Sequence, residues 1–76
     1  MSDPLVYRNN RLFCIDQQQL PPKARGSDTI MALYAAIYLE FRGADKNHKY
    51  KNLTYEQRLN KLNEFAWNWL EERRLI

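Results

Sequence analysis

Between Tyr55 and Arg74 the apolar residues recur as Tyr55, Leu59, Leu62, Phe65, Ala66, Trp69 and Leu70. Steps of three and four predict an amphipathic helix over 55–74, with an apolar arc about 140° wide at roughly 100° per residue. Thr54 followed three residues later by Gln57 has the form of a capping box that starts it. Trp67 breaks the pattern: it falls about 60° beyond the arc, among Asn60, Asn63, Glu56, Glu71 and Arg74. A large aromatic on a wet face is more informative than another buried leucine.

The segment from Ile30 to Leu39 has no polar face: Met31, Ala32, Leu33, Tyr34, Ala35, Ala36, Ile37 and Tyr38 lie between. It predicts a helix over about 28–42, capped by Ser27 or Asp28 and stopped at Gly43. A helix apolar all round belongs at the centre of the fold. Ala32, Ala35 and Ala36 form a small-residue side that another backbone can approach closely, and Tyr34, Tyr38, Ile30, Ile37 and Phe41 bulk out the opposite side.

Leu5 to Ile15 reads as a β-hairpin turning at Asn9-Asn10, because Asn tolerates positive φ. That turn sets Arg8 against Arg11, Tyr7 against Leu12, Val6 against Phe13 and Leu5 against Cys14. Both faces are largely apolar, so one must pack on the helices. The competing signal is Asp3 with Pro4 at a first helical position, which gives an all-α three-helix bundle instead. After the hairpin, Gln17-Gln18-Gln19 forms a short helical turn that Pro21-Pro22 stops. The expected fold class is therefore α+β: an N-terminal hairpin packed on two helices, as one domain over 1–76.

Composition narrows the class. With 76 residues, the chain lies near the lower limit for an unstapled core. Cys14 is the only cysteine, so no internal disulfide forms, and a cytoplasmic, reducing setting is the expectation. Met1-Ser2-Asp3-Pro4 lacks the basic and apolar regions of a signal peptide. The uncharged run 29–39 is too short for a bilayer, which needs about 20 residues. No membrane role is expected.

The chemistry-bearing residues form no catalytic pattern. One histidine, His48, and one cysteine are too few for a zinc site of those ligands. Glu71 and Glu72 are adjacent on a helix and do not face each other. Gly26 and Gly43 belong to no phosphate-binding loop. The expectation is a protein that is no enzyme and takes no cofactor, metal or small-molecule substrate.

Two binding surfaces remain. Trp67, flanked by Asn60, Asn63 and Arg74, is the protein-contact candidate, for a different protein or for a second copy as a homodimer, since tryptophan is enriched at binding hot spots; the competing reading is that the hairpin or the Leu75-Ile76 tail wraps around the helix and covers it. On the contact reading Trp67→Ala leaves folding nearly intact and abolishes partner capture. The alternative is a nucleic-acid surface from Arg8 and Arg11 at the hairpin tip with Lys46, Lys49, Tyr50 and Lys51 in the loop, the lysines holding phosphate and Tyr50 stacking on a base. A net charge of only +3 and a last helix in which Glu56 and Glu64 offset Arg58 and Lys61 favour protein over nucleic acid. The expected function is a small adaptor or regulatory module that works by protein–protein binding.

Overall fold

The computed structural model describes residues 4–9, 12–42 and 50–76, with the side chains of Arg8, Asn9 and Leu12 outside that set. Strand β1 (Val6–Asn9) pairs antiparallel with β2 (Leu12–Ile15), and helices α1 (Ser27–Phe41) and α2 (Tyr55–Glu72) follow. The all-α alternative fails, because both segments of 6–15 are strands.

The hairpin register corrects the expected one. Val6 opposes Ile15, Tyr7 opposes Cys14, Arg8 opposes Phe13 and Asn9 opposes Leu12, so each partner lies two residues beyond the expectation. A shift of two keeps every side chain on its face. It makes Val6 and Ile15 a direct β-branched pair, and both are buried. Asp16 N–H donates to Leu5 C=O at 2.8 Å, which carries the ladder one step beyond the strands. Tyr7 is 47% exposed on the outer face.

The connector holds the expected short turn and adds a second one. Asp16 Oδ1 accepts from Gln18 N at 3.0 Å and Asp16 C=O accepts from Gln19 N at 3.0 Å, so a side-chain-braced turn occupies 17–19. That turn ends before Pro21, and Pro22 opens a further 3-10 turn over Pro22–Ala24, since a first helical position needs no N–H. Arg25 Nε donates to Leu20 C=O at 3.0 Å, tying the turn back on itself.

Helix α1 begins one residue earlier than its polar residues suggest. Gly26 is the N-cap and no side chain caps it; Ser27 and Asp28 are the first two helical residues, so neither takes the capping role expected of them. The expected stop at Gly43 lies outside the described residues. Helix α2 starts as its sequence says: Gln57 N donates to Thr54 Oγ1 at 3.1 Å, and Thr54 N donates to Gln57 Oε1 at 2.9 Å. It ends two residues short of the expected 74. Arg74 takes φ 55, Arg74 N–H donates to Glu71 C=O, and Leu75 N–H donates to Leu70 C=O at 2.9 Å. This is a Schellman closure with arginine in the left-handed position that glycine usually fills.

One core joins the elements: Leu5, Val6 and Ile15 from the hairpin, Leu20 and Ala24 from the connector, Leu33 and Ile37 from α1, and Leu62, Ala66, Trp69 and Leu70 from α2. The apolar arc of α2 thus lies on α1, as its periodicity requires. Each fully buried leucine here contributes about 1.5–3 kcal/mol of transfer free energy. No helix among the described residues is long and apolar enough to cross a membrane.

Candidate functional site

Asn63 and Trp67 stand one turn apart on the side of α2 that the wheel leaves wet, and neither faces open water. Asn63 Oδ1 accepts from Leu5 N at 2.6 Å and Val6 N at 2.7 Å. Its Nδ2 donates to Val6 C=O at 3.0 Å and Leu59 C=O at 3.1 Å. Both lone-pair directions and both N–H groups of the amide are therefore used. The hairpin docks along this side, and Trp67 is half-buried, packed against the core. Its Nε1 is buried with no hydrogen-bond partner. Of the two readings of Trp67, the structure favours the one in which the chain itself covers the ring, which is half-buried against the core. Asn60 and Arg74 are exposed.

Of the basic residues proposed for a nucleic-acid surface, only Lys51 has a described side chain. Arg8 opposes Phe13, not Arg11, so the facing-arginine pair is absent from the ladder. The side chain of Arg8, and Arg11, Lys46, Lys49 and His48 altogether, lie outside the described residues. Lys51 is exposed, while Tyr50 is buried at 7% exposure. The Tyr50 ring sits 4.5 Å from that of Phe41, which meets Phe65 edge-on at 5.8 Å. Tyr50 Oη donates to Glu40 Oε1 at 3.0 Å. Burial, and then the hydrogen bond to Glu40 and its charge, push the Tyr50 hydroxyl up to about 12. This ring is a wedge between the helices, not a platform for a base. Among the described residues no three of His, Cys, Asp and Glu come close enough to hold a metal ion.

The surface that the fold leaves open lies on α1. Only Leu33 and Ile37 of this helix are buried. Met31 is 70% exposed, Tyr38 65% and Leu39 69%, and Ala32 and Ala35 between them are exposed as well. The expectation that α1 is enclosed is corrected: a hairpin and one helix cover a single side of it. Tyr34, at the border, is held by its hydroxyl, which accepts from Ile15 N at 2.9 Å. At one edge of the face a shallow groove of about 580 Å³ runs between α1 and the end of α2. Asp28, Ala32, Ala36 and Leu39 form one wall and Trp69 and Leu75 the other. The Arg73 guanidinium stacks 3.9 Å over the Trp69 ring, which fixes the rim.

No sequence motif marked this face, although its signal was present: a helix without a polar side. No protein-family model, curated protein or solved structure matches the chain.

Proposed function

We propose that this protein is a small non-enzymatic adaptor or regulatory module that acts by binding protein, with the outward side of α1 as its docking surface. The observation that carries this reading is the run of Met31, Ala32, Ala35, Tyr38 and Leu39, which is apolar, contiguous at helical spacing and exposed. A helix apolar on all sides is ordinarily buried, and exposed apolar patches of this kind mark interaction sites. The side chains are pre-set on a regular helix, so little conformational entropy is lost when a partner lands. The cytoplasm, where a lone Cys14 stays a thiol, is the setting that suits such a module, and nothing in the surface calls for a cofactor or small-molecule substrate.

A photo-crosslinking residue placed at Tyr38, with Glu64 on the polar side of α2 as the control position, tests the reading in cells. Covalent protein adducts, a second copy included, are expected at position 38 and not at 64. A chain that yields no protein adduct at position 38 removes the proposal.

A further inference from the structure

The α1 face has an internal symmetry that selects its occupant. Asp28, Ala35 and Arg42 follow at intervals of seven, so they drift by only about 40° in total around the helix and lie along one line. All three are exposed. Ala35 is the midpoint of that line, with an acid at one end and a base at the other.

We infer that the occupant is a second copy of the chain, packed with its α1 antiparallel across a two-fold axis at Ala35. This inference rests on the proposal that the α1 face binds protein. Three features support it. The two-fold sets Asp28 of each copy against Arg42 of the other, giving two opposite-charge pairs at the ends of the interface. A parallel arrangement would instead set Asp28 against Asp28 and is disfavoured. At the axis two Ala35 side chains meet, which lets the backbones approach closely. On the flanks, Leu39 of one copy comes level with Ala32 of the other on the groove side, and Tyr38 comes level with Met31 on the opposite side. The large exposed residues thus meet small or flexible ones, and Leu39 enters the groove between Ala32, Ala36, Trp69 and Leu75. Such an interface is isologous: one patch is complementary to itself.

Its size sets its strength. A strip about 21 Å long and roughly 10 Å wide is well below the ~800 Å² per partner of standard complexes, so only weak dimerisation, towards the upper end of the micromolar range, is expected. Sedimentation equilibrium of the full chain from about 5 to 300 µM tests it, with far-UV circular dichroism confirming the fold of each variant. Wild type is expected to move from monomer to dimer in that range, and Ala35→Glu, which sets two carboxylates on the axis, to stay monomeric. Asp28→Arg or Arg42→Asp alone should weaken the dimer about tenfold. The double variant Asp28→Arg/Arg42→Asp should return to within about threefold of wild type, since both pairs are re-formed with signs exchanged. A wild type that remains monomeric at the highest concentration overturns the inference, as does a dimer indifferent to Ala35→Glu or a double exchange no tighter than the single ones. If the chain is monomeric yet still yields adducts to other proteins from position 38, only the self-association fails. If position 38 yields none, the binding surface itself fails with it.

Discussion

The side-chain amide of Asn63 pairs with both backbone groups of Val6, accepting from its N–H at 2.7 Å and donating to its C=O at 3.0 Å. It imitates a neighbouring strand, and so ties the hairpin to α2 at a point where no strand is available. Asn63→Leu should therefore lower unfolding free energy by about 2–4 kcal/mol, because the N–H groups of Leu5 and Val6 and the Val6 carbonyl lose their partner together. Asn63→Asp keeps the acceptor and places a carboxylate oxygen against the Val6 carbonyl, so it should also destabilise at neutral pH. Urea denaturation gives both values, and an Asn63→Leu variant as stable as wild type would show that the amide is dispensable.

Trp67 is packed against the core with an unpartnered Nε1, which separates two substitutions. Trp67→Phe removes the unsatisfied donor along with part of the ring and should change stability by less than about 1 kcal/mol. Trp67→Ala should cost about 1.5–3 kcal/mol, below the roughly 3–5 kcal/mol of fully buried aromatic truncations, since the ring is only half-buried. Thermal and denaturant melts of the two variants check the order. The sequence-based expectation that Trp67→Ala spares folding is thereby replaced with its opposite.

Arg74 adopts φ 55 in the Schellman closure of α2. A residue with a Cβ is strained there and glycine is not. Arg74→Gly should raise stability by about 0.5–1 kcal/mol, and Arg74→Val should lower it, because β-branching is least tolerated at positive φ. A rise in melting temperature for the first and a fall for the second is the expected pair of results.

Tyr50 titrates near 12 when folded against an ordinary 10.0. The folded state therefore holds the phenolic proton more tightly than the unfolded one. The stabilisation is full below pH 10.0 and is lost as pH rises towards about 12. Tyr50→Phe keeps the ring beside Phe41 and has no proton to lose. The gap in stability between wild type and Tyr50→Phe should narrow or reverse across that window, as read by denaturant midpoints at successive pH values. A constant gap would separate the Glu40 hydrogen bond from the titration.

Local patterns in the sequence carried most of the architecture. The heptad-like arc of α2 and the Thr54–Gln57 box are short-range signals, and both appear in the structure where their spacing puts them. The hairpin was legible as two strands but not in register, because apolar residues on both faces leave a two-residue slip without a hydrophobic penalty. What the sequence could not convey was coverage. Whether Trp67 is wet depends on what packs on its side of α2, and whether α1 is enclosed depends on what packs around it. The proposed binding face consequently moved from α2 to α1, from a residue that looked exceptional to a helix whose uniformity looked like a core.

Asn63 is joined to Leu5 and Val6 across separations of 58 and 57 residues, and this bears on the order of events during synthesis. As the chain leaves the ribosome, the hairpin emerges early and must wait, with Val6 and Ile15 uncovered, until most of α2 has been made. A hairpin alone is marginal in water, and a contact that closes so long a loop forms late. Strand β1 and helix α2 are therefore expected to become stable together, in one late closing step.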